Sequence, residues 1–120
     1  MNLENRSFTK KQLMALNPNI PLDVLRELAK DEDEDVRGQV AANPNTPMDA
    51  LRDLAQDEKW LVRYCAAENP KASSKILVML FEYEKSLKET DADIIRALYA
   101  HKNLPTFAKR VIETLFKEML

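Results

Sequence analysis

The sequence returns to the same words at a fixed step. Asn17-Pro18-Asn19 recurs as Asn43-Pro44-Asn45, and a third copy begins at Asn69-Pro70, 26 residues apart each time. Between these marks Pro21, Asp23, Leu25, Arg26, Leu28, Ala29, Asp31, Glu32, Val36, Arg37 and Ala41 reappear as Pro47, Asp49, Leu51, Arg52, Leu54, Ala55, Asp57, Glu58, Val62, Arg63 and Ala67. A period of this size marks units that bury their apolar faces by stacking on one another. It constrains the fold far more than the function. The repeat names no partner and displays no reaction chemistry.

Composition says what the units are made of. There is one glycine, Gly38, in 120 residues and no β-branched run, which favours helix over sheet. The chain is 45% apolar and 32% charged, as suits helices with one buried and one wet face. A net charge of -2 gives no general attraction to nucleic acid or anionic membrane. Cys65 is the sole cysteine, so no intrachain disulfide forms and a reducing compartment is expected. Met1 to Lys11 is polar and lacks the apolar core of a signal peptide. The longest apolar run, Ile76 to Phe81, falls far short of the ~20 residues that cross a bilayer. A cytoplasmic protein with no membrane contact is expected.

Each unit reads as helix, short link, helix and extended break. In the second, Thr46 is predicted to cap the first helix, with Pro47 at its first position and Asp49 completing a capping box. Met48, Leu51, Leu54 and Ala55 then share one side at helical spacing. Asp57 and Glu58 are predicted to open the second helix, where negative charge meets the positive end of the dipole. Leu61, Val62, Cys65 and Ala66 supply its inner face. Asn69 precedes Pro70 and is driven out of the helical region, so the helix stops there. The first unit repeats this with Leu22, Leu25, Leu28, Ala29, Val36 and Val40, and with a weaker cap because Ile20 replaces Thr46.

Both ends depart from the pattern. Lys11, Met14, Ala15 and Asn17 match Arg37, Val40, Ala41 and Asn43, so the chain opens with a lone second helix, Thr9 to Leu16, as a lid. Towards the other end, Ser73 or Ser74 starts a longer helix running to about Lys88, with Leu77, Leu80 and Phe81 inward. An insertion at Leu87 to Thr90 follows, then a helix in which Asp93, Ile94, Ile95, Arg96 and Ala100 fall on the repeat. After the degraded break Asn103-Leu104-Pro105-Thr106, a last helix is capped by Thr106. It turns Phe107, Val111, Ile112, Leu115, Phe116 and Met119 inward and keeps Lys109, Arg110, Glu113, Lys117 and Glu118 outside. The expectation is an all-α, right-handed α-α superhelix, a solenoid of about three and a half 26-residue units. It forms one domain: an N-terminal cap at 1–16, repeats at 17–42, 43–68 and (extended) 69–102, and a capping helix at 103–120.

The string Asn43-Pro44-Asn45-Thr46-Pro47, then Leu51, Leu54-Ala55, Asp57, Val62-Arg63, Ala67 and Asn69-Pro70, resembles the leucine-rich repeat variant family. That family is grouped with the HEAT-like α-superhelices. The resemblance covers Met14 to Ser74 closely and the remainder loosely. It implies a helical-repeat fold, with each second helix either α or a short 3-10 segment, and a macromolecular partner. Some members hold an iron–sulfur cluster in a cysteine-rich N-terminal segment. Cys65 alone cannot ligate a cluster, so no cofactor is carried over.

Several residues invite a functional reading. Lys11, Arg37, Arg63 and Arg96 are aligned at one repeat position and form a stripe. The stripe is either an anion track or a charge ladder with Asp31, Asp57 and the Asp91/Asp93 region, tying one unit to the next. The resemblance to HEAT-like proteins adds that such Asp and Arg positions are used as ladders. Four cations beside 20 acidic residues are a weak nucleic-acid signature, so the ladder is favoured. Asp31-Glu32-Asp33-Glu34-Asp35 suggests calcium, but an EF-hand loop needs glycine and a carboxylate where Val36 and Ala42 stand.

Trp60 and Tyr64 align with Glu34 and Gly38 before them and with Asp93 and Ala97 after them, so the repeat does not require aromatics there. They are either an interface anchor or packing against a neighbouring turn. Val78 and Met79 replace Arg52 and Asp53 and add apolar surface, for internal packing or for a second chain. His101, the single histidine, sits at a helix end with no visible partner for proton transfer.

No Gly-rich phosphate loop, Ser/His/Asp set, metal spacing or carboxylate pair appears, so neither catalysis nor a metal is expected. HEAT-like DNA glycosylases keep an enzyme among the rivals, but this chain is short for enclosing a pocket. The function expected is a protein-interaction scaffold or adaptor, monomeric or weakly dimeric. Trp60, Tyr64, Arg37 and Arg63 are its partner-binding candidates. The alternative is a nucleic-acid module using the basic stripe.

Overall fold

The computed structural model describes residues 8–120. These residues are all-helical, with no strand. The helices are α1 (Lys10–Leu16), α2 (Leu22–Leu28), α3 (Glu34–Ala42), α4 (Met48–Leu54), α5 (Trp60–Glu68), α6 (Ser74–Ser86), α7 (Ala92–Ala100) and α8 (Thr106–Leu115), with a 3-10 turn at Lys117–Met119. The part of the N-terminal cap at residues 1–7 lies outside the described residues.

The odd-numbered helices form a row in which α3 packs on α1, α5 on α3 and α7 on α5. The even-numbered helices back this row: α2 lies on α3, α4 on α3 and α5, α6 on α5 and α7, and α8 on α7. Leu25, Val36, Val40, Leu51, Val62, Ala66, Leu77, Leu80, Ile94, Leu98 and Ile112 fill the space between, each at most 1% exposed. Phe81 is sealed from the far end by the edge of Phe116, with ring centroids 6.1 Å apart.

The recurring asparagine is explained by the breaks. α1, α3 and α5 each end on an asparagine in extended conformation, Asn17, Asn43 and Asn69. The Oδ1 of each accepts the backbone N–H two residues on, at 2.9 Å in all three. The Asn43 Nδ2 donates back to Ala15 O at 2.8 Å and Asn17 O at 3.1 Å. The Asn69 Nδ2 donates to Ala41 O and Asn43 O at the same two distances. Each break thus satisfies buried carbonyls of the break before it, which no aliphatic side chain could do.

Several local expectations give way to the packing. Thr46 does not cap a helix. It is buried, and its hydroxyl donates to Val40 O. Its repeat position is held elsewhere by Ile20, Ala72 and Leu104, all buried, so this is a core site. Both α2 and α4 start after a proline, Pro21 and Pro47, with no side-chain cap. Thr106 is likewise the first helical residue of α8, behind Pro105, and caps nothing. Side-chain caps are instead made by Thr9, in a reciprocal box with Gln12, and by Asp33, Ser73 and Asp91.

Asp57 and Glu58 precede α5 rather than open it, because Asp57 accepts from the Lys59 N–H at 2.9 Å and holds the turn. Leu22 and Met48 are exposed rather than inward, and Leu61 and Cys65 are half-buried. The long helix stops at Ser86, where Leu87 turns extended, rather than at Lys88. The second helices α3, α5 and α7 are α-helical, not 3-10. In α8 only Ala108 and Ile112 are fully buried, while Phe107 and Leu115 stand in solvent.

The largest correction concerns register. The caps of α7, Asp91 and His101, lie 32 positions beyond Lys59 and Asn69, the caps of α5. Arg63 therefore corresponds to Ile95, and Tyr64 to Arg96. The alignment that equated Arg96 with Arg63 is one residue out. Burial shows why: Ile95 is 0% exposed, whereas Arg96 faces water.

Candidate functional site

The stripe of cations is a ladder along one edge of the row. Lys11 Nζ lies 2.7 Å from Asp31, Arg37 Nε 2.8 Å from Asp57 and Arg63 Nε 2.9 Å from Glu84. Each rung joins one unit to the next. Arg37 and Arg63 also donate to backbone, to Asp31 O and Asp57 O, both at 2.8 Å. Asp31 and Asp57 are held below the ordinary carboxylate range. For Asp31 the cause is the Lys11 hydrogen bond. For Asp57, burial pushes upward, and the bonds from Arg37 and the Lys59 N–H outweigh it.

The third rung differs from the expected one. Arg63 meets Glu84 on α6, not the Asp91/Asp93 region, and both side chains are buried. The Arg63 guanidinium also lies over the Tyr83 ring, 5.5 Å from its centroid. Arg96 takes no part in the ladder and pairs within its own helix with Asp93 at 3.4 Å. Side-chain exposures of 13% for Arg37 and 7% for Arg63 leave these two guanidinium groups little access to a phosphate backbone.

A different face of the row is open. Trp60 and Tyr64 stack on it with centroids 5.2 Å apart and planes 12° from parallel. Trp60 is 40% exposed, and Tyr64 also leans on the core. Their i, i+4 spacing on α5 places them side by side. A hydrogen bond to Glu68, with the charges of Glu68 and Asp93, raises the Tyr64 phenol above its ordinary value. Burial, and then Glu68, does the same to the Cys65 thiol.

Beside the aromatics lies a groove of about 200 Å³ lined by Phe8, Gln12, Asp35, Gly38, Gln39, Ala42, Leu61 and Cys65. Gly38 makes room for it, because α3 carries no side chain where α5 carries Tyr64. The buried Gln39 Oε1 has no hydrogen-bond partner among the described residues.

The profile of the leucine rich repeat variant family matches residues 34–59. Over that stretch the chain is similar to one unit of the leucine rich repeat variant. The matched stretch runs from α3 through α4 to the turn before α5, and includes Arg37, Asp57 and Asn43. The structural logic of the variant repeat in this chain is thus an ion pair at one edge and an asparagine at the break. No curated protein and no solved structure matches the chain.

The remaining candidates fall outside the open face. His101 caps α7 and is bonded into the break. Val78 and Met79 are half-buried, and Met79 borders a shallow groove with Met48 and Arg52. The acidic run Asp31 to Asp35 serves the ladder through Asp31, the α3 cap through Asp33 and a 3.8 Å pair with Lys59 through Glu34. Among the described residues no group of His, Cys, Asp and Glu has the arrangement of a metal site, and no helix is long and apolar enough to cross a membrane.

Sequence reasoning missed Glu84 and Gln39. Glu84 falls one repeat after Glu58, which is exposed, so its place in the repeat gave no sign of burial. Gln39 replaces Leu13 and precedes Cys65 at its repeat position, which gave no periodic signal.

Proposed function

We propose that this chain is a non-enzymatic protein-interaction module, a scaffold or adaptor acting in the cytoplasm. Its units form a right-handed superhelix of about three and a half repeats, and the open face of the odd-numbered row meets a protein partner. Stacked helical units offer long contiguous surfaces of this kind. The observation that carries the reading is the Trp60–Tyr64 stack, kept partly in solvent at a position where the repeat does not require aromatics. Exposed aromatics of this type dominate binding energies at protein interfaces. The nucleic-acid alternative is disfavoured because Arg37 and Arg63 direct their donors to Asp57, Glu84 and backbone carbonyls.

The test compares proteins captured by the immobilised full chain with those captured by Trp60→Ala. Loss of a captured partner by tenfold or more, with the melting midpoint unchanged, supports the reading. Equal capture by both forms, or a variant that unfolds, overturns it.

A further inference from the structure

One joint of the row is built differently from the others. The helices α1, α3 and α5 end on amides, Asn17, Asn43 and Asn69, which carry no titrating group. The helix α7 ends on His101, the single histidine of the chain. Imidazole is the side chain that ordinarily takes up charge between about pH 8 and pH 5.

His101 is 8% exposed, and both of its ring nitrogens are engaged. Nε2 lies 2.8 Å from Asn69 O, a carbonyl that can only accept. Nδ1 lies 3.0 Å from the Asn103 nitrogen, whose N–H can only donate. Those two partners fit one state of the ring, neutral with its hydrogen on Nε2. A second proton goes to Nδ1. It turns that acceptor into a donor aimed at another donor.

Asn103 holds the turn that leads into α8. Its Nδ2 donates to Ala72 O at 3.0 Å, and its carbonyl accepts the Ser74 hydroxyl at 2.7 Å. The Leu104 N–H donates to His101 O at 3.1 Å, and Leu104 is buried. Two residues later α8 begins. Glu68 on α5 and Lys102 share the shallow hollow beside the ring. Their charges act on it with opposite sign, and Glu68 is also engaged by Tyr64. Lys71 on the preceding break and Lys75 on α6 are exposed, and Glu113 on α8 is bonded by Tyr99.

We propose that His101 makes the last joint of the row proton-sensitive: a proton taken up at Nδ1 breaks the bond to the Asn103 N–H and loosens α8 from the end of the row. The asparagine joints stay closed under the same conditions. Loosening bares Leu104 and Ile112, which are 4% and 0% exposed while the joint is shut. An unfolded chain takes the proton freely, whereas the folded break takes it only by losing a bond. Below about pH 6.5 the unfolded state therefore binds more protons, and stability falls with pH.

The parent chain and His101→Asn are compared by urea denaturation at about pH 7.5 and about pH 5.5. The variant keeps one donor and one acceptor but has no titrating ring. Over that span the folding constant of the parent should fall about five- to tenfold more than that of the variant. The carboxylates and the α-amino group titrate in both forms and cancel. Amide exchange at about pH 5.5 should be faster in the parent than in the variant, and the excess should be larger in α8 than in α3. Nitrogen NMR of the single imidazole, in the parent alone, should place the hydrogen on Nε2 at about pH 7.5. That measurement holds even where the variant folds poorly. Equal pH dependence of the two forms overturns the proposal. So does a neutral ring with its hydrogen on Nδ1, or an exchange excess equal in α3 and α8.

Discussion

His101 occupies the place of Asn69 one unit on and makes the same pair of bonds. Its Nε2 lies 2.8 Å from Asn69 O, as the Asn69 Nδ2 lies 3.1 Å from Asn43 O. Its Nδ1 accepts the Asn103 N–H at 3.0 Å, as the Asn69 Oδ1 accepts the Lys71 N–H at 2.9 Å. The network assigns the proton to Nε2. The single histidine is therefore an asparagine surrogate that carries the chain of breaks to the last helix.

That equivalence sets the first prediction. His101→Asn should keep both bonds and leave the urea midpoint nearly unchanged. His101→Ala should strand a buried carbonyl and an N–H, costing about 1–3 kcal/mol. If the two variants were equally stable, the surrogate role would be wrong.

Arg63 and Glu84 form a buried pair at 2.9 Å with side-chain exposures of 7% and 0%. Arg63→Met leaves the Glu84 carboxylate without its cation and should cost about 3–5 kcal/mol in urea denaturation. Replacing both, Arg63→Met with Glu84→Leu, should recover most of that loss, because an apolar pair needs no charge compensation. A double variant as unstable as the single one would show that packing, not the stranded charge, governs the site.

Asp57 carries the acid limb of stability. Its folded pKa lies below the unfolded value, so the unfolded chain binds more protons as pH falls past about 4. Its contribution is complete above that value and is lost as pH drops through the folded pKa. Urea midpoints measured from about pH 7 down to pH 2.5 should fall less steeply in Asp57→Asn than in the parent. Parallel curves would remove Asp57 from the account.

Gly38 lies inside α3, with space for one more carbon. A Cβ there would sit 3.6 Å from Cys65 Sγ and from Leu61 Cγ, ordinary contact distances. Gly38→Ala should raise stability by about 0.4–1 kcal/mol by restricting the unfolded chain. A melting midpoint that falls would show that α3 and α5 approach too closely to admit the methyl group.

The legible part of the fold was the part copied. Leu25, Leu51 and Leu77 sit in equivalent surroundings because each unit meets the same neighbours, so periodicity in sequence is periodicity in burial. Thr46 was misread because a capping preference is local, whereas its burial and its bond to Val40 O come from the helix before it. The register beyond the insertion was misread because adjacent Ile94 and Ile95 fit the inward position equally well in one dimension. The aromatic pair could be singled out from residue type, but its stacking and its partial exposure are set by the surrounding packing.

By itself the sequence determined the unit length, the helical class, the order of the helices and the asparagine that closes each break, because these follow from short-range backbone preferences and from repetition. Tertiary structure alone decided that Glu84 answers Arg63, that Ile95 rather than Arg96 lies in the core, and that the Gln39 Oε1 is buried with no partner among the described residues. Those outcomes depend on which side chains of different helices meet within a few ångströms, and burial then sets the cost of every polar group that meets no partner.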